Sequence, residues 1–199
     1  MHEEVPIAGV LLAAGIGRRY DPAGTRLKLL EPAPSGPQAG TAMAVAALRN
    51  LRAALGDVVV VVRPADSAAQ ERLHALLVAE GAELVACAEA GAGMGHSLAC
   101  GVRARPAVAG WVIALADMPS VSPRTIAAVR DAIAGGRATA APVYAGQRGH
   151  PVGFGRACRE ALLALKGDTG ARTVLAAHPP LLISVDDPGC LLDIDTPGH

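Results

Sequence analysis

Gly15, Gly17, Arg18, Arg19 and Lys28 follow the apolar start of the segment IAGVLLAAGIGRRYDPAGTRLK, and together they are the residue types that hold a polyphosphate. Ile7 to Ala13 reads as a buried strand, and glycines directly after it let backbone N–H groups approach phosphate oxygens closely. Arginine and lysine side chains then meet the negative charge. A dinucleotide fingerprint is excluded, because Tyr20 stands where its third glycine belongs and Arg63, not an acid, follows the next strand. A Walker loop is excluded too, since Lys28 lies between Leu27 and Leu29. An ordinary strand-to-helix turn with solvated arginines is the simpler reading of the same residues.

A second chemical feature is the run ALADMP, in which an apolar strand ends on Asp117. A carboxylate there stands at the carboxyl edge of the sheet, where the glycine loop also lies. Magnesium is commonly held by one or two carboxylates together with water and substrate phosphates, so Asp117 suits a Mg2+ ligand, or else a turn aspartate ahead of Pro123. Asp193 and Asp195 in LLDIDTPGH are two residues apart, and on an extended segment both would face the same side. Three polar, glycine-bearing loops complete the inventory: Gly93-Met94-Gly95-His96-Ser97 opening a helix, the tight turn Gln147-Arg148-Gly149-His150-Pro151, and Gly167-Asp168-Thr169-Gly170-Ala171-Arg172.

Positioning these residues falls to alternating strands and helices. Ile7 to Ala13, Val58 to Val62, Glu83 to Cys87, Trp111 to Ala116 and Ala138 to Val143 read as strands. Gln38 to Leu55, Ala65 to Glu80, His96 to Arg105, Pro123 to Ala134 and Arg156 to Leu165 read as helices, and residues 31–40 as a flexible surface loop. This order predicts an α/β fold: a three-layer Rossmann-like sandwich with a mostly parallel sheet, helices on both faces, and ligands outside the carboxyl ends of the strands.

Composition narrows the partners. The 199 residues are enough for one full core, and no linker divides them, so a single domain over 1–199 is expected. Eighteen Lys and Arg balance eighteen Asp and Glu, and the aromatics are only Tyr20, Trp111, Tyr144 and Phe154. Neither the basic field nor the stacking surface of a nucleic-acid binder is present, which favours a small substrate. The acidic start MHEEVPIAGVLLAAG matches neither a secretory signal nor a membrane span, and predicts a cytoplasmic protein. Cys87, Cys100, Cys158 and Cys190 are widely spaced and read as reduced structural thiols.

In order along the chain, LAAGxGxR with a following K-L-L, GMGHSL, ALADMP, RGHPVGF, GDTGAR and DIDTP resemble the MobA/MocA-like nucleotidyltransferases, most closely their molybdenum cofactor cytidylyltransferase branch. The resemblance covers nearly the whole chain and implies a nucleotide-diphospho-sugar transferase type of fold. It implies a triphosphate cradled by Leu12, Ala13, Ala14, Gly15, Gly17 and Arg18, with Gly95 and Ser97 also on the nucleotide. Arg19, Lys28 and Asp117 would be catalytic, Arg148, His150 and Asp168 would touch the acceptor, and Asp117 with Asp193 or Asp195 would hold Mg2+. Ala14 stands where guanylyl-transferring relatives carry glycine, which implies CTP over GTP.

The implied reaction is transfer of CMP to the terminal phosphate of molybdopterin, releasing pyrophosphate, with a molybdoenzyme or its maturation chaperone as downstream partner. Its attacking phosphate is already ionised, so alignment and charge neutralisation matter more than a general base. Alternatives are guanylyl transfer, another phosphorylated acceptor such as a sugar or alditol phosphate, and a molybdopterin carrier without turnover.

Overall fold

The computed structural model describes residues 5–15, 27–36 and 38–194. These form one eight-stranded sheet between two helical layers. The strands are β1 (Ile7–Leu12), β2 (Val58–Val62), β3 (Glu83–Ala86), β4 (Gly110–Leu115), β5 (Thr139–Tyr144), β6 (Gln147–Arg148), β7 (Val152–Gly155) and β8 (Leu181–Ser184). The helices are α1 (Met43–Ala54), α2 (Ala68–Ala79), α3 (Met94–Ala104), α4 (Pro123–Ala134), α5 (Arg159–Leu163) and α6 (Arg172–Ala177). Strands run β3-β2-β1-β4-β7-β5-β6, and β8 pairs with β5. The β3-β2-β1-β4 half and the β5–β8 pair are parallel, whereas β7 is antiparallel to both β4 and β5.

Alternation along the strands divides the core in two. Leu11, Val60, Val62 and Val112 face α1, α2 and α4, where they meet Leu48, Leu51, Leu73, Leu77, Ile126 and Val129. Val10, Leu12, Ala14, Val59, Val61, Trp111 and Phe154 face the other layer, with Leu98 and Val102 of α3, Leu162 of α5 and Val174 of α6. Burial on both faces is why these strands read as continuous apolar runs and not as alternating ones. α3 sits close against the sheet because Gly101 has no side chain: a Cβ there would stand 2.3 Å from Val10 Cγ1.

Helix boundaries follow local chemistry. α4 begins at Pro123, as the sequence predicts, and the Ser122 hydroxyl caps it by accepting from the Arg124 N–H. α2 is capped by Ser67, which accepts from the Gln70 N–H. α1 starts at Met43 and not at Gln38, because the preceding residues close a hydrogen-bonded loop: Ala33 N–H donates to the Thr41 carbonyl, Gly40 N–H to that of Ala33, and Met43 N–H to that of Glu31. Ala33 is buried with Met43, Ala46 and Ile194, so the base of the 31–40 loop is pinned. The predicted helix Arg156 to Leu165 is a short 3-10 turn over Arg156–Cys158 followed by α5. Cys87, Cys158 and Cys190 are buried free thiols; burial, followed by neighbouring Cys100, pushes Cys87 up to about 12.

Candidate active site

Sheet register brings the chemistry together. Leu12 is level with Val61 on one side and Leu115 on the other. Two residues further on, that register sets Ala14 between Arg63 and Asp117 at the carboxyl edge, with Gly15 just beyond. Ala13 and Ala14 are buried and Gly15 is exposed, so the strand delivers its first glycine to the surface at this edge.

Lys28 opens a 3-10 turn over Lys28–Leu30 and is only 6% exposed. Its Nζ lies 3.0 Å from Asp117 Oδ2, whose side chain is 31% exposed. The expected lysine and the expected carboxylate therefore meet, although 89 positions separate them. An amine and an open carboxylate at one strand end are the elements that neutralise a phosphate and hold a divalent cation.

The carboxyl-terminal segment reaches the same place by several attachments. Asp187 is buried and accepts from the Ser122 N–H at 2.9 Å, the Thr125 hydroxyl at 2.6 Å and the Gly189 N–H at 3.0 Å. The Cys190 carbonyl accepts from the His150 N–H, and the Ile194 N–H donates to the Asp117 carbonyl at 3.1 Å. Asp193, exposed and next to Ile194, is thus brought to Asp117. It stands outside any strand, after a 3-10 turn over Pro188–Leu191. Asp117 and Asp193 thus come from two distant segments that the backbone bond between Ile194 and Asp117 joins at this edge. Among the described residues, no group of three or more His, Cys, Asp and Glu could hold a metal by itself.

His150 lies at the centre of this arrangement. The turn expected at Gln147–Pro151 falls earlier, at Ala145 and Gly146, whose φ values are 47° and 78°; Gln147–Arg148 is strand β6, which leaves Arg148 exposed. Gly149 packs against Cys190, and the chain passes into β7 through a cis His150–Pro151 bond. His150 Nδ1 is buried without a hydrogen-bond partner, beside a cavity of ≈ 10 Å³ that Asn50, Met118 and Ile126 also line, about the space of one water.

Burial holds the His150 imidazole below its ordinary value of 6.5; Arg148 acts in the same direction, whereas Asp117 and Asp193 oppose it. The unfolded chain therefore takes up a proton that the folded one resists, and stability falls as pH drops below about 6.5. Urea midpoints at pH 7.5 and 5.5 measure this: the wild type should lose more than His150→Gln, and equal losses would show that His150 is not responsible.

The GMGHS segment forms the other side of the edge. α3 begins at Met94, two residues before the predicted start, with Gly93 as its cap. Ser97 is inside the first turn and buried, so it is not the cap residue. Asp168, exposed in a 3-10 turn over Gly167–Thr169, is carried by a loop that packs on Gly93 and Gly95. Gly17, Arg18, Arg19 and Asp195 lie outside the described residues.

Arg63 was not among the expected site residues. It directly follows β2, level with Ala14, and its Nε is buried without a hydrogen-bond partner. The signal was available, since a residue ending the strand beside the glycine-loop strand must lie at the ligand-binding edge.

A mostly parallel sheet of this order, with Gly15, Lys28 and Asp117 at one carboxyl edge, suits the class of nucleotidyltransferases. Within that class the chain belongs to the family described as MobA-like NTP transferase domain, which it matches over residues 9–181. It is 30% identical over 200 residues to the purine catabolism protein PucB of Bacillus subtilis, covering 96% of this chain and 92% of PucB. The crystal structure of Rv0371c from Mycobacterium tuberculosis H37Rv superposes with a TM-score of 0.75 at 28% identity, covering 97% of this chain and 94% of that one. A manganese complex of Rv0371c superposes with a TM-score of 0.70 at 27% identity, over 91% and 88% of the two chains. The molybdopterin-guanine dinucleotide biosynthesis protein A of Archaeoglobus fulgidus shares the fold, with a TM-score of 0.65 at 16% identity over 96% and 93%. Among the described residues no helix is long and apolar enough to cross a membrane.

Proposed function

We propose that the whole chain, residues 1–199, is one cytoplasmic nucleotidyltransferase domain that moves CMP from CTP to the terminal phosphate of molybdenum-loaded molybdopterin. An oxygen of that phosphate attacks the α-phosphorus of CTP, a new P–O–P bond forms, the bond between the α- and β-phosphates breaks, and pyrophosphate leaves. The observation that carries the reading is the meeting of Lys28 and Asp117 at 3.0 Å on the edge where the glycine loop begins. Family membership and the six ordered motifs support it.

In this reading the amides following Leu12, Ala13 and Ala14, through Gly15 and Gly17, cradle the triphosphate with Arg18, while Arg19 and Lys28 offset the charge that builds on the leaving phosphates. Arg63 adds a cation beside Ala14. Asp117 and Asp193, with Asp195, would hold a divalent ion, for which the manganese complex of Rv0371c is a precedent in a relative. Bound there, Mg2+ would supply positive charge to the phosphate oxygens. Arg148, His150 and Asp168 serve the acceptor, and Gly95 and Ser97 the nucleotide. Ala14 is buried on the α3 side of the sheet and stands where guanylyl-transferring relatives carry glycine, which supports CTP as the nucleotide.

Pyrophosphate release by the purified protein tests this. With Mg2+, CTP and molybdenum-loaded molybdopterin, release should require all three. Preference for GTP would move the activity to guanylyl transfer. Release with a sugar or alditol phosphate in place of the pterin would change the acceptor. Tight pterin binding without release would make the protein a carrier.

A further inference from the structure

We infer that Gly95 is a positioning residue for the acceptor: through a side-chain-free seam, the start of α3 and the loop 166–170 behave as one unit, so nucleotide held by the first sets the second. The inference rests on the proposed assignment of GMGHS to the nucleotide and Asp168 to the acceptor.

The seam is backbone against backbone. A Cβ on Gly93 would stand 2.2 Å from the Gly167 carbonyl carbon, 2.4 Å from its oxygen and 2.7 Å from the Asp168 nitrogen. A Cβ on Gly95 would stand 3.0 Å from the Gly167 oxygen and 3.0 Å from both the nitrogen and the carbonyl carbon of Lys166. Between them, Met94 reaches across with its Sδ 3.6 Å from where a Cβ of Gly170 would lie. Three consecutive residues at the start of α3 therefore touch the loop that carries Asp168.

Among the described residues no backbone hydrogen bond joins the two segments; close packing, with Leu165 and Val174 buried beside Leu98 and Val102, sets the loop against the helix. Hard contacts pass on displacement, since closely packed groups have no slack to absorb it. Glycine at position 95 is also less favourable within a helix than alanine. Its absence of a side chain serves the loop and not the helix.

Gly95 is a better probe than Gly93, whose φ of 131° alone would strain any side chain. Gly95→Ala keeps the backbone amide and improves helix propensity, while its methyl group pushes residues 166 and 167 away by a few tenths of an ångström. The gain in helix propensity and the cost of displacing the loop oppose each other, so the kinetics are compared at a temperature where circular dichroism shows the variant folded. In pyrophosphate-release kinetics the KM for molybdopterin should rise about tenfold, well beyond any rise in the Kd of CTP measured without acceptor. A rise confined to CTP, or an acceptor KM within about twofold of the wild type, would overturn the inference.

Hydrogen exchange on the wild-type protein gives a readout independent of folding in the variant. Adding CTP with Mg2+ should slow exchange in residues 93–100 and in 166–171 together, without any acceptor. Protection of 93–100 that stops short of 166–171 would also overturn it. No protection of 93–100 and no nucleotide-dependent release would instead remove the reading on which the inference stands.

Discussion

Asp117→Asn should release pyrophosphate about a thousandfold more slowly than the wild type at saturating metal, the upper end of what one preorganised charge-stabilising group supplies in a transition state. Asparagine has nearly the same shape and can still accept from Lys28, so the substitution isolates the charge. Two effects combine in the loss. In the proposed divalent site Asp117 no longer contributes a carboxylate, and the Lys28 ammonium, buried to 6% exposure, loses its 3.0 Å counter-charge before substrate arrives. Asp117 itself is open to solvent at 31%, and its backbone contact with Ile194 survives the exchange, so the fold should stand. Circular dichroism melting within a few degrees of the wild type, alongside the loss of metal-dependent turnover, is the expected pair of results. Full activity in the variant would dismiss Asp117 as the metal-holding group.

The features legible beforehand were those governed by local pattern. Five runs became β1 to β5 within a residue or two; β1, β2 and β4 were plainest, because strands buried on both faces are apolar throughout, whereas the edge strand β3 has no buried residue. α4 was readable to its ends, since Ser122 and Pro123 announce it. The antiparallel strand β7 was hidden: of the two glycines in VGFG, Gly153 lies against α4, where a Cβ would fall 2.6 Å from Ile133 Cγ1, and Gly155 lies against the Arg137 carbonyl, where a Cβ would fall 2.8 Å from its oxygen. Closeness to a helix 20 residues earlier leaves no periodic mark. β8 is apolar in sequence but only four residues long, set between Pro179-Pro180 and Asp186-Asp187-Pro188, and such a short run is not marked out as a strand. Lys28, Asp117, Asp193 and His150 could be named singly from their motifs, whereas their meeting depended on pairings across 89 positions and on attachments of the tail.

Those attachments centre on Asp187, which carried no motif, and Asp187→Ala should have the largest effect on stability. Its carboxylate lies at 8% exposure between the start of α4 and the last described turn, accepting from Ser122, Thr125 and Gly189. Alanine would strand a buried hydroxyl, that of Thr125 at 3% exposure, and two backbone donors. Each such loss costs on the order of 1–3 kcal/mol, partly recovered by water, so a total of about 3–4 kcal/mol and a fall in Tm of about 10 °C are expected. Asp187→Asn retains an acceptor oxygen and should lose about half as much. The effect should also reach the active edge, because the same segment carries the Cys190 carbonyl to His150 and Ile194 to Asp117. At a temperature where Asp187→Ala remains folded, its requirement for divalent metal should therefore rise, since Asp193 is no longer held beside Asp117. An unaltered metal requirement in a destabilised variant would separate the two roles and make Asp187 a brace for α4 alone.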